Sequence, residues 1–193
     1  MMLRKKCIFL VNMLLCIALF CACGKGEENS KDLIADEGVS DIDRQIEKGY
    51  DLPIDTREKK EAEDDCQKMM ELIRDIYVSA DKGDASNVAL SDEILSAMQK
   101  KLQETKNPVI TIGTYTNMQN FESVDNFLKE CMRGVSGSVV VYELHSEGGI
   151  RRMKFIFDGT NMYELSVDAM WNKEDEPGIS YISYTRIKEW KYT

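Results

Sequence analysis

The spacing of hydrophobic positions divides the chain into three regions. The first 22 residues hold an apolar run that is interrupted only by Asn12. Residues 23–60 are mostly polar, and such a segment cannot bury enough apolar surface to offset the entropy lost on ordering. From residue 61 onward the apolar side chains recur at regular intervals. We therefore predict an amino-terminal apolar segment, a flexible tether over 23–60 and one folded domain over 61–193.

Apolar residues three and four positions apart predict three helices in the first half of the domain. The first begins between Thr56 and Glu61 and ends before Gly83, a typical stop residue. The second begins after Ser91, which is suited to cap its amino terminus, and is followed by a strand from Val109. The third covers residues 121–133. A weaker pattern over 40–48 favours one short helix within the tether.

After residue 134 the apolar period changes to two, which is typical of strands. The predicted strands are residues 138–145, 151–157, 162–168 and 179–192. In the second of them Phe155 and Phe157 share one face with Met153, while Arg152 and Lys154 share the other. This alternation predicts that each strand has one buried face and one face in water.

The order of elements predicts an α+β fold, with three helices packed on a curved antiparallel sheet of four to five strands. The order from Glu61 to the end resembles that of the nuclear-transport-factor-2-like (NTF2-like) cone fold. A cystatin-like sheet wrapped around one helix is the alternative. The resemblance to the cone fold implies a concave pocket at one end of the sheet.

The amino-terminal segment has the parts of an export signal. Arg4, Lys5 and Lys6 precede the apolar run, and small Ala22 precedes Cys23. This arrangement resembles the lipobox of bacterial lipoproteins. The resemblance implies that residues 1–22 are a lipoprotein signal peptide and that Cys23 carries the lipid.

Two alternatives stay open for this segment, an uncleaved membrane anchor and secretion without lipid. Phe20 and Cys21 depart from the residues usual in a lipobox. The apolar run of about 16 residues is shorter than the roughly 20 residues that cross a bilayer as a helix. In all three cases we expect the domain to lie outside the cytoplasm, and the preferred location is the extracytoplasmic face of the cell membrane.

Charge is unevenly distributed along the chain. The formal net charge is −9, and residues 24–65 hold 15 acidic and 7 basic side chains. The tether and the start of the domain are therefore acidic, whereas residues 66–193 hold 19 acidic and 15 basic side chains. The sequence lacks the basic patch that nucleic-acid binding requires. The expected partners are the membrane, through the lipid, and an unknown envelope protein or small ligand.

The stretch of residues 182–192 resembles a group of uncharacterised lipoproteins from Gram-positive bacteria, some of which are encoded on conjugative elements. In that family the chain is expected to continue after this strand through another hairpin. The resemblance therefore implies a member truncated at its carboxyl terminus. An unpartnered edge strand would then promote association.

Few residues offer chemistry. The only histidine, His145, is expected to be exposed in a turn, and Glu143, Glu164 and Asp168 are expected on solvated strand faces. Cys66 and Cys131 are either two buried thiols or a disulfide. No cofactor or metal motif is present. Four tyrosines are candidates to line a pocket, with a place in the core as the alternative: Tyr77, Tyr115, Tyr142 and Tyr163.

Two functional hypotheses follow. The first is a lipid-anchored, non-catalytic binding or interaction module, in a cell-envelope or conjugation assembly. The second is a small NTF2-like enzyme that acts on a hydrophobic ligand in the sheet pocket. A buried acid or histidine beside a tyrosine in a pocket would favour the enzyme, whereas a filled core with an open sheet edge would favour the binding module.

Overall fold

The structure, a computed structural model, describes residues 41–83, 88–112 and 117–193. These ranges contain four helices and five strands, and the α+β prediction is confirmed. The elements are α1 (Asp41–Lys48), α2 (Thr56–Ser79), α3 (Asp92–Gln103), β1 (Val109–Thr111), α4 (Glu122–Met132), β2 (Gly137–Leu144), β3 (Ile150–Phe157), β4 (Met162–Trp171) and β5 (Pro177–Ile187).

The strands form one open sheet in the order β1-β2-β3-β4-β5. The last four strands are antiparallel, as predicted, but β1 pairs parallel to β2, so the sheet is mixed. The physical reason is the connection, because α4 lies between β1 and β2 and a helical crossover returns the chain in the same direction. The hairpin after β3 is a tight turn in which the Asp158 carboxylate accepts hydrogen bonds from the backbone of Thr160 and Asn161, at 2.8 and 2.7 Å.

Helix α2 covers one face of the sheet, here called the α2 face. Asp55 caps its amino terminus by accepting hydrogen bonds from the backbone of Arg57 and Glu58. Most of the apolar residues spaced three and four positions apart along α2 are buried on this face, and α3 packs beside them through Met98 and Leu102. The core on this face includes Cys66, Met69, Met70, Ile73, Tyr77, Tyr142, Leu144, Ile150, Leu165 and Val167.

The prediction that Arg152 and Lys154 face water is wrong. Both lie on the α2 face, and Arg152 is only 6% exposed. Arg152 donates to Asp65 of α2 at 3.3 Å, and the Lys154 ammonium lies 2.6 Å from the Glu58 carboxylate. Period-two alternation shows which residues share a face but not which face a helix covers. Here α2 covers the face of Arg152 and Lys154, and its acidic residues pair with both.

The opposite face, here called the α4 face, is covered at one end by α4 and the carboxyl-terminal tail. Phe127 and Cys131 pack on Val139, Phe157 and Met162. The predicted last strand therefore stops at Ile187, because the tail turns onto this cluster. The rings of Trp190 and Phe157 meet edge to face with their centroids 5.8 Å apart, and the Tyr192 hydroxyl donates to Asp125 of α4.

The domain begins before residue 61, within the segment predicted to be a flexible tether. Helix α1 is present as the sequence favours, and residues 49–52, here called the amino-terminal strap, lie along β5. Leu52 N–H donates to Tyr184 O at 2.9 Å, and Arg186 N–H donates to Gly49 O at 2.7 Å. Part of the β5 edge expected to be open is therefore paired, because Leu52, 6% exposed, buries its side chain there.

We predict that Leu52→Ala lowers the free energy of unfolding by about 2–4 kcal/mol, since a buried leucine is lost along with the docking of the strap. The matched control is Leu72→Ala on the solvent side of α2, where the same deletion should cost about 0.5 kcal/mol. Urea unfolding of the full-length chain, read by pulse proteolysis, measures both. Equal losses in the two variants would show that the strap contributes nothing.

Candidate functional site

The end of the α4 face away from α4 holds a line of polar side chains. Glu143 of β2, Arg151 of β3, Asp168 of β4 and Tyr181 of β5 are successive register partners across the sheet, and we call them the polar row. Since register partners point to the same face, strand pairing alone brings the four residues together. Four separate strands thus build one site.

Arg151 is the centre of the polar row. Its Nε donates to Asp168 Oδ1 at 2.9 Å and its Nη2 to Oδ2 at 3.4 Å, a forked ion pair. Its Nη1 lies 3.8 Å from Glu143 Oε2, beyond hydrogen-bond distance. The hydrogen bond to Asp168 raises the pKa of Arg151 above its ordinary value. The charge of Arg151 is therefore directed mainly to Asp168, and the Glu143 side chain stays only 5% exposed without a hydrogen bond from any described residue.

His145 extends the site beyond the end of β2. Its Nδ1 lies 3.5 Å from Glu147 Oε1 and its Nε2 lies 3.8 Å from Asp168 Oδ1. The imidazole is 12% exposed, and its buried Nε2 has no hydrogen-bond partner in the described part of the chain. The predictions of an exposed turn histidine and of solvated carboxylates at Glu143 and Asp168 are therefore wrong.

The turn after His145 is held in place by backbone hydrogen bonds. His145 N–H donates to Gly149 O and Gly148 N–H to His145 O, both at 2.9 Å. Trp171 Nε1–H donates to Gly148 O at 2.9 Å, while its ring stacks on Tyr77 with centroids 4.4 Å apart. The turn is therefore fixed to the end of α2 and to β4, which sets the position of the imidazole.

A β-bulge lies beside the polar row. The register of β4 and β5 shifts between Asp168 and Ala169, which pair with Tyr181 and Ile179. The extra residue, Ser180, donates its hydroxyl to Asp168 O at 3.2 Å. Bulges re-aim side chains locally and are common next to functional sites. The regular pairing of β4 with β5 therefore ends at the pair of Asp168 and Tyr181.

Glu164 lies two register positions further along the same face, with Ser166 between it and Asp168. Burial raises the pKa of the Glu164 carboxyl above its ordinary value. The cation that opposes this rise is Arg151, which also interacts with Asp168 and Glu143. The polar face thus carries three carboxylates for one arginine.

The tyrosines proposed as a pocket lining lie elsewhere. Tyr77, Tyr142 and Tyr163 are on the α2 side of the sheet, where Tyr77 and Tyr142 are core residues. Burial raises the pKa of Tyr142 to about 12. Tyr115 lies outside the described residues. The structure therefore places the three proposed pocket tyrosines that it describes on the opposite face from the polar row.

The remaining candidate residues are cysteines. Cys66 and Cys131 are free, buried thiols, in the α2-side core and the α4-side cluster respectively. The geometry matches the alternative of two packed thiols, with the sheet between them. Burial raises the pKa of the Cys66 thiol to about 12, so it stays protonated at neutral pH. Cys23 lies outside the described residues.

Sequence reasoning missed the polar row because each carboxylate was judged on its own strand. One signal was present: the five-residue connection between β2 and β3 sets the register that pairs Glu143 with Arg151. The pairing of Arg151 with Asp168 follows from the next hairpin in the same way. The sequence does not show that both faces of the sheet are covered. Without that covering, the residues of the polar row would be expected to lie in water.

The fold and site define an α+β domain with an open mixed sheet and a charged row on one face. The chain belongs to the family of unknown function DUF6070, which it matches over residues 59–193. Comparison with curated proteins and with solved structures found no match. Within the described ranges, none of the helices is both long enough and apolar enough to cross a membrane.

We predict that Gly149→Ala destabilises the domain by about 1–3 kcal/mol, because a Cβ there would lie 2.4 Å from Met170 Sδ and 2.9 Å from Ala169 O. The control is Gly178→Ala, where a Cβ meets nothing within 4 Å and the change should stay within about 0.5 kcal/mol. Thermal unfolding followed by circular dichroism compares the two variants. A Gly149→Ala protein as stable as the control would contradict the close packing of this turn.

We predict that Glu164→Gln changes the pH dependence of stability. The raised pKa of Glu164 means that the folded state binds its proton more tightly than the unfolded chain, so this residue weakens folding increasingly as pH rises past the ordinary value of 4.5. The free energy of unfolding of Glu164→Gln relative to the native protein should therefore increase from about pH 4.5 to pH 7. Urea titrations across that range measure it, with Glu174→Gln on the exposed β4–β5 turn as control. A constant or falling difference would contradict the burial of Glu164.

Proposed function

We propose that the protein is a lipid-anchored binding or interaction module on the outer face of the cytoplasmic membrane. The anchor is supported by the sequence, in which a basic start and an apolar run precede Ala22-Cys23-Gly24. The resemblance to Gram-positive lipoproteins, some encoded on conjugative elements, supports a place in a cell-envelope or conjugation assembly. The acidic tether supports a domain held away from anionic headgroups.

The binding role is carried by one observation, the two buried carboxylates of the polar row, Glu143 and Asp168. Removing carboxylates from water costs several kcal/mol per ion, and a well-packed apolar set would serve stability as well or better. Clusters of charged groups in a sheltered place are typical of functional sites. The bulge at Ser180 and the pinned turn at His145 add rigid elements that hold such a site.

A second candidate is the small NTF2-like enzyme acting on a hydrophobic ligand. It is supported by His145, whose buried Nε2 has no hydrogen-bond partner among the described residues, as a general base would require before substrate binds. The tyrosines on the other face give it no support. Turnover of a hydrophobic substrate that is abolished in His145→Gln would favour this candidate.

The anchor is tested by Cys23→Ala. We expect the variant to lose membrane partition and metabolic labelling with palmitate, because the thiol that would carry the lipid is gone. The matched control is Cys21→Ala, two residues earlier, which should be labelled and partition as the native chain does. Detergent phase separation of whole-cell extracts measures the partition. Unchanged labelling of Cys23→Ala would show that no lipid is attached there.

A further inference from the structure

We propose that the polar row and His145 bind an organic cation with an alkylammonium or alkylguanidinium head. The inference rests on the proposed binding role of this face and is independent of the lipid anchor. Its source is either a free amine or a lysine or arginine side chain of a partner, and the chemistry of recognition is the same for both. The argument starts from the charges on this face.

Negative charge is in excess here. Glu143, Glu164 and Asp168 face Arg151 alone among the described cationic residues of this sheet face. Arg151 is engaged by both oxygens of Asp168. Glu143, with its side chain 95% buried, retains only the Arg151 Nη1 contact at 3.8 Å and accepts no hydrogen bond from the described residues. A desolvated carboxylate in that state is stabilised by a donor that carries positive charge.

His145 gives a second, independent indication. Its Nε2 is buried, has no hydrogen-bond partner among the described residues and lies 3.8 Å from Asp168 Oδ1. With the imidazole proton on Nδ1, a donor group of a ligand placed between these two atoms would bond to both. Glu143 lies two residues earlier on the same strand face, roughly 6–7 Å away along the chain. One multivalent cationic head reaches Glu143, His145 and Asp168 together.

Tyr181 and the spacing of the acceptor groups favour an organic cation. Tyr181 is 56% exposed and is the register partner of Asp168, so the two side chains are neighbours on the same face of the sheet. An aromatic ring at the rim attracts alkylammonium and guanidinium groups. The described residues hold no group of three or more histidine, cysteine or acidic side chains placed to bind a metal ion. Spread acceptors beside a ring match a larger head with several N–H donors.

The test is calorimetric titration of the purified full-length chain in detergent at about 50 mM salt. The probes are agmatine and a Gly-Ser hexapeptide with one central arginine, and the same peptide with citrulline is the uncharged control. We expect saturable binding of the charged probes and none of the citrulline peptide. Similar affinities for both charged probes indicate a free amine, and a peptide at least tenfold tighter indicates a partner's side chain.

Two variants locate the binding. Glu143→Gln should weaken it at least tenfold, and Tyr181→Ala about threefold, while Glu174→Gln on the exposed β4–β5 turn should leave it unchanged. Glu143→Gln removes a poorly paired buried charge and Tyr181 is exposed, so neither variant should melt below the native protein. Absence of saturable binding, or equal weakening by Glu143→Gln and Glu174→Gln, would overturn the cation site. Either result would leave the anchor untouched, because that stands or falls with labelling at Cys23.

Discussion

The contact between α2 and one face of the sheet is the constraint on which the rest of the structure depends. Met70 and Ile73 of α2 are fully buried against side chains such as Leu144, Ile150 and Val167. Because strand side chains alternate, assigning these residues to the α2 face places every intervening residue on the α4 face. The position of the polar row on the α4 face follows from that assignment, even though its residues are polar.

The carboxylates of the polar row are therefore buried, with the side chains of Glu143 and Asp168 5% and 11% exposed, while Arg151 stays 37% exposed. Burial of the carboxylates strengthens the forked pair between Arg151 and Asp168 and makes the poorly paired Glu143 unfavourable. Structural stability alone does not require such an arrangement. Its rigid support by the turn at Gly148 and the bulge at Ser180 connects the packing of the core to the proposed recognition of a ligand.

The amino-terminal strap relates the domain to its proposed anchor. Leu52 and Gly49 pair with β5, so the chain enters the folded body along one sheet edge. The pairing satisfies backbone groups that would otherwise be open to another chain. In the proposed anchored form, this fixed point of entry would restrict which faces of the domain can meet the membrane, through two backbone hydrogen bonds and one buried leucine.

Periodicity in the sequence by itself determined the helices, the four antiparallel strands and the α+β class, because apolar spacing reports local geometry directly. Residue type, rather than periodicity, identified Ser91 as a helix cap and residues 158–160 as a turn. Only the tertiary structure decided which face of each strand is buried, that β1 runs parallel to β2, and that Glu143, Arg151, Asp168 and His145 share a site. Those outcomes depend on contacts between residues far apart in the chain, which a local pattern of apolar and polar positions does not contain.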